Sequence, residues 1–364
     1  MAKTKHKRAE ARPGPAKREA LRAQEVQEEL RRQVCRPSCE LTLSRGEISH
    51  FDSHVGGLPY CPRDGELPVG EKGDQLRLVV QINFAQMPPM PPFPDRGILQ
   101  FFFADHDPLA GYRGMEHWTE QGNWRIVYHR EPDPTVTAEE IAQKLRIGPV
   151  VTHDHEKRIA YLNNPVLIAE KPYKVHFGPP EREGTIVQEG ITVKDFRFWP
   201  AFLNVWRSKF QDPPPEQFWP KRPRDPKIPG QIQVFDVAMA DDIWKKLRNQ
   251  ADGEGNKLGG FPGFRREDPR PVLPECADGA CPWDTLLLQL SGPFIHVNNR
   301  LQGANPIYFG EDGWANFFIR EEDLLRCDFS RVGYYWQEGI VPPEYYRELY
   351  GHDYNPTARD ALTP

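Results

Sequence analysis

His54-Val55-Gly56-Gly57-Leu58-Pro59 returns in the second half of the chain as Lys257-Leu258-Gly259-Gly260-Phe261-Pro262. Paired glycines permit positive φ or close backbone approach, and the proline beyond them stiffens the exit from the turn. The segments downstream of the two phrases also match. After the first come LRLVVQINF (76–84) and ILQFFFADHD (98–107); after the second come DTLLLQLSG (284–292) and GWANFFIREEDLLRCDFS (313–330). Gln81 aligns with Gln289, and Phe101-Phe102 with Phe317-Phe318. The order predicts a degenerate internal duplication. The expected fold is α+β: two β-sheet pseudo-repeats, about 50–210 and 231–337, packed into one body with peripheral helices and long Pro-rich loops.

Within 76–84 the apolar residues alternate, which places Leu76, Leu78, Val80, Ile82 and Phe84 on one face of a strand. Residues 98–107 read as a strand buried on both faces. Thr137 with Glu140 forms a capping box that opens a short helix. Seven prolines within 211–230 exclude regular structure there and mark a surface connection between the halves. Beyond it, 239–253 has helical spacing, with Asp241 or Asp242 as cap and Ile243, Trp244 and Leu247 facing a core.

The 38 Pro and 29 Gly of this 364-residue chain argue for short elements and many turns. A net charge of -5 gives no general case for nucleic acid or a membrane surface. No stretch approaches the roughly 20 apolar residues of a bilayer span, so a cytoplasmic protein is expected. Residues 1–40 form a basic, partly disordered and partly helical arm, and 341–364 a C-terminal tail. Within the arm, 15–33 reads as a solvated helix with Leu21, Val26 and Leu30 on one side. It is a solubilising tail or a basic arm for nucleic acid. Cys35, Cys39, Cys276 and Cys281 are free thiols on this reading, the alternative being a four-thiolate zinc site.

Taken together, GGLPYCPRDGELP, LVVQINFAQMPPMPPFPDRGILQFF, KLGGFPGFRREDPR, LLLQLS and GWANFFIREEDLLRCDFS resemble the YwqG-like family, a bacterial domain family of unknown function. The resemblance spans about residues 50–337. It implies an α+β protein with β-sheet repeats, and it implies no established activity, cofactor or catalytic residue.

Three constellations are candidates for a site. Gln81, Asn83 and Gln289 lie on the polar faces of matching strands, where amides can read a polar ligand through donor and acceptor together or satisfy loop backbone. Asp312 and Trp314 stand at the entry to a buried strand, as pocket or as core and turn cap. His153 and His155 have the spacing of metal ligands on a strand, with Asp105, His106 or Asp107 as a third, or form a polar hairpin tip. No phosphate-binding loop, dinucleotide fingerprint, nucleophile elbow or zinc-protease helix occurs. The expected function is a ligand- or protein-binding module of the interaction or immunity type, without catalytic activity or cofactor, whose partner is a protein or small polar ligand. The alternative is a metal-dependent hydrolase using His153 and His155.

Overall fold

In the computed structural model the described residues are 15–104, 107, 109–147, 166–168, 171–213, 253–264, 268–276, 280–291, 296–297, 300–301, 307–309 and 313–337. The strands are β1 Cys35–Ser44, β2 His54–Val55, β3 Arg77–Asn83, β4 Ile98–Phe103, β5 Trp124–His129, β6 Val166–Ile168, β7 Tyr173–Phe177 and β8 Val187–Gly190. They continue as β9 Lys257–Gly259, β10 Thr285–Ser291, β11 His296–Val297, β12 Arg300–Leu301, β13 Ile307–Phe309, β14 Trp314–Ile319 and β15 Gly333–Gln337. The helices are α1 Pro15–Gln33, α2 Ala138–Ala142, α3 Phe198–Lys209 and α4 Glu321–Leu325. An antiparallel sheet with few helices around it gives an α+β architecture.

One sheet runs in the order β15-β14-β10-β9-β1-β7-β2-β3-β4-β5, with β8 attached to β1; β6 pairs with β13 and β11 with β12. From its middle outward, β2-β3-β4-β5 leaves one side and β9-β10-β14-β15 the other. Each flank has a short strand from the Gly-Gly phrase, a long strand bearing a glutamine, a Phe-Phe strand and a closing strand. The register slips between Leu78 and Val80 in β3, and between Leu286 and Leu288 in β10. Such an insertion turns the following side chains to the other face. It overturns the expected single face: Leu76 and Leu78 pack with Tyr60 and Val136, whereas Val80, Ile82 and Phe84 enter the main core.

The strands β4 and β14 are buried at every position, as expected of apolar runs covered on both faces. Phe101 and Phe317 meet with ring centroids 4.8 Å apart. Phe103, Trp124 and Tyr334 surround the pair, with Phe317 and Tyr334 stacked at 4.9 Å. Aromatic side chains therefore fill the space between the two flanks.

The N-terminal segment departs from expectation. Ala23, Val26 and Leu30 of α1 are fully buried against Phe198, Phe202, Val205 and Trp206 of α3. Three apolar positions suffice because α3 presents large aromatic rings; only Leu21 stays exposed. The boundary expected at residue 40 falls inside β1, which joins the flanks by pairing with β9 and β7. Cys276 and Cys281 form a disulfide, which removes both from the thiolate set that zinc would need. Cys35 is exposed and Cys39 buried on the same strand.

The capping box is present as read: Thr137 Oγ accepts from Glu140 N–H, and Glu140 returns a bond to Thr137 N–H. By contrast α4 begins at Arg320 without a side-chain cap. The bulk of the Pro-rich connection (214–230) and the expected helix over 239–253, apart from Gly253, lie outside the described residues. Among the described residues no helix is long and apolar enough to cross a membrane.

Candidate functional site

Both glycine turns have two successive glycines at positive φ. Gly56 and Gly57 sit at φ 64° and 76°, Gly259 and Gly260 at 70° each. A left-handed pair favours glycine and reverses the chain sharply as it leaves the sheet. What fixes the loops around each turn is a fully buried glutamine. Gln81 Nε2 donates to His50 O and Asp52 O, both at 2.8 Å, and its Oε1 accepts Tyr60 N–H at 2.9 Å. Gln289 Nε2 donates to Gly253 O at 2.7 Å and Gly255 O at 2.9 Å, and its Oε1 accepts Gly263 N–H at 2.8 Å.

A second amide completes each brace. Gln100 Nε2 donates to Tyr60 O at 2.8 Å, and Asn316 Nδ2 donates to Gly263 O at 3.0 Å. Asn83 N–H is taken by Ser53 Oγ at 2.8 Å and Ser291 N–H by Asn256 Oδ1 at 2.9 Å. The Asn83 side chain bonds Phe51 O and Ala85 N. Buried backbone groups left open by a turn need such partners, each worth roughly 1–3 kcal/mol if lost. The polar atoms of Gln81, Asn83 and Gln289 are thus spent on holding loops. Trp314 is buried in β14 opposite Ser291 and Gln337. Asp312, His153, His155, Asp105 and His106 lie outside the described residues. Asp107 is buried and paired with Arg113 and Asn123. No group of three or more metal-ligating side chains gathers among the described residues.

The loop braced by Gln81 forms one wall of a cleft of about 400 Å³. Ile48, Ser49, His50, Gly57, Leu58, Ala138 and Pro172 line it. Its volume lies at the small-ligand end of binding cavities. Ser49 Oγ accepts Phe51 N–H at 3.2 Å, a bond that leaves the hydroxyl able to donate. His50 Nε2 lies 3.0 Å from Val136 O, which accepts only, so that nitrogen carries the proton. Ala138 arrives on the capped start of α2, and Pro172 on the chain entering β7. Sequence reading missed these residues because they come from separate segments; the Gly-Gly phrase was the one local signal.

His54 lies beneath this turn and is fully buried. Its Nδ1 bonds Gly56 O at 2.5 Å, and its Nε2 has no partner among the described residues. Burial pulls its pKa down to about 4, so the ring is neutral near pH 7.

On the other flank a buried ion network ties the start of α3 to the 268–270 segment. Arg270 donates to Asp268 at 2.6 Å and to Asp195 at 2.9 Å, and Arg197 donates to Asp195 at 2.7 Å. Burial works against the Asp195 charge, but Arg270 and Arg197 outweigh it and hold the carboxyl well below the usual range. Its groups satisfy one another, as buried charges must.

A family model described as Domain of unknown function (DUF1963) matches residues 53–337. The chain belongs to this family. The match opens at Ser53, after α1 and β1, and closes at Gln337, the last residue of β15. Both braced turns and the cleft wall from Ser53 onward fall within the family region. No curated protein matches the chain.

Proposed function

We propose that this DUF1963 chain is a binding module without catalytic chemistry, built from two copies of one sheet unit, and that its recognition surface is the cleft beside Gly57. The duplication is supported by the parallel braces of Gln81 and Gln289, down to the loop atoms they hold. The binding role rests on one observation above all: the cleft wall is a solvent-facing loop whose backbone is pinned from beneath by Gln81. Pinning of that kind fixes a surface before a ligand arrives and lowers the entropy cost of binding. The mixed lining of aliphatic, hydroxyl and imidazole groups suits a small polar ligand or an extended side chain of a partner protein.

Blocking the cleft tests this reading. Ala138→Trp adds bulk on the cleft wall at the first position of α2, where it disturbs no core packing. Thermal unfolding of the full chain is followed against a panel of amino acids, dicarboxylates and short peptides. At least one ligand raises the transition of the native protein, and Ala138→Trp abolishes that gain. Equal gains in both proteins overturn the assignment of the cleft.

A further inference from the structure

The Gly259-Gly260 turn is occupied by the chain itself. Glu189 on β8 lays its carboxylate where a Cβ on Gly260 would stand. Its Oε1 accepts from Lys257 Nζ at 2.5 Å. Ser38 crowds the same glycine from β1, with Oγ 2.8 Å from that Cβ position. Gly260 N–H is closed off by Pro37 O at 2.8 Å.

The Gly56-Gly57 turn has the same φ values and the same kind of brace, but a different cover. Pro172, just before β7, packs on Gly57, as Ser38 of β1 does on Gly260. Continuing the β2–β7 register sets Lys171 opposite Gly57, as continuing the β1–β9 register sets Pro37 opposite Gly260, so Lys171 O is the counterpart of Pro37 O. It accepts instead from Arg45 at 2.7 Å. The ladder of β2 ends at Val55, whereas that of β9 runs on to Gly259. Gly57 is exposed, and its N–H has no acceptor among the described residues. Gly57 and Ser49 both line the cleft.

We propose that the cleft binds a carboxylate at Gly57. The inference rests on the reading of the cleft as the recognition surface and names its ligand class. One carboxylate oxygen accepts from Gly57 N–H and Ser49 Oγ–H, and the attached aliphatic segment lies against Ile48, Leu58 and Pro172. Arg45, whose guanidinium bonds the carbonyls of Lys171 and Pro172, brings positive charge next to the lining residue Pro172, which Lys171 and Lys174 adjoin along the chain. Asp52 is engaged by Ser49 N–H and Gln86, while Glu47 and Glu139 are exposed. A carboxylate gains charge-assisted bonds that a neutral carbonyl does not.

The chain supplies its own probe: the β8 segment Ile186–Ile191, as the peptide acetyl-Ile-Val-Gln-Glu-Gly-Ile-amide, with its Glu→Gln form as control. Binding of both peptides and of glutarate to the full chain is measured by calorimetry at low salt. The Glu peptide binds about tenfold tighter than the Gln form. Ser49→Ala weakens the Glu peptide severalfold, and Ala138→Trp abolishes its binding. Binding of glutarate with similar affinity assigns the site to small dicarboxylates; binding of the peptide alone assigns it to acidic peptide segments. Equal affinities for Glu and Gln peptides, both lost in Ala138→Trp, overturn the carboxylate and leave the cleft standing. Peptide binding unchanged in Ala138→Trp overturns the cleft as well, and failure of all three probes to bind overturns the proposal.

Discussion

Phe101 and Phe317 pack with ring centroids 4.8 Å apart, and each comes directly after the amide, Gln100 or Asn316, that braces the loop of its own flank. The centre of the core and the two loop braces are therefore one residue apart along β4 and along β14. Truncating either ring should cost about 3–5 kcal/mol. The double variant Phe101→Ala/Phe317→Ala should fall short of the sum by about 0.5–1.5 kcal/mol, because the two rings share a contact. Urea unfolding of the four proteins measures this; strict additivity would show that the flanks do not meet there.

The glutamine braces act locally, each on its own loop. Gln81→Ala leaves His50 O, Asp52 O and Tyr60 N–H without partners, at roughly 1–3 kcal/mol for each group that water cannot reach. Amide hydrogen exchange at Tyr60 should accelerate in Gln81→Ala while Gly263 stays protected, and the reverse should hold in Gln289→Ala. Equal acceleration at both amides would mean global loosening instead of separate braces.

Acid should destabilise the fold through His54. Its pKa falls from 6.5 to about 4 on folding, so the unfolded chain binds the proton more tightly. The stability this neutral ring contributes is complete above about pH 6.5 and drains away as the pH falls towards 4, by roughly 3 kcal/mol at most. His129 is pulled down to about 4 by burial and adds in the same direction. Asp195, held low by Arg270 and Arg197, adds a loss only at more acid pH, as the carboxyl protonates. Unfolding free energies of the native chain and His54→Asn at pH 7 and pH 5 give the test. The gap between them should narrow at pH 5; a constant gap would remove His54 as the source.

The Cys276–Cys281 bond closes a short loop, with the two cysteines five positions apart. Chain-entropy reasoning for so small a ring gives about 2 kcal/mol. Alkylation of the unfolded, unreduced protein should label four of the six cysteines, and reduction should expose the remaining two. Six labelled without reductant would show the pair to be free thiols.

Much of the sheet was legible in the sequence, and the reasons are physical. Ile98–Phe103 and Trp314–Ile319 are apolar runs broken by a single amide each, Gln100 and Asn316, a pattern that suits a doubly covered strand. Thr137 and Glu140 close a local bond pattern that needs no tertiary partner. Other features depend on distant contacts. The shift at Val79 moves Leu78 and Val80 to different faces, and no local pattern announces it. Docking of α1 depends on aromatic rings of α3 far along the chain, so Leu21, Val26 and Leu30 read as one side of a solvated helix. The glutamines stood out as polar residues in apolar strands, but their bonding to His50 O and Gly253 O comes from tertiary register. Within the cleft only Gly57 carried a signal, because a left-handed turn demands glycine whereas Ser49, His50 and Pro172 are ordinary loop residues.

If the open glycine turn, and not its occupied counterpart, receives the ligand, its amide must report the event. Amide proton–nitrogen correlation spectra of the full chain, titrated with acetyl-Ile-Val-Gln-Glu-Gly-Ile-amide, give the sharpest test. The Gly57 amide proton should move downfield in proportion to saturation, with smaller shifts at Ser49 and Leu58 and none at Gly260. A saturable titration that shifts Gly260 and leaves Gly57 in place would refute the assignment.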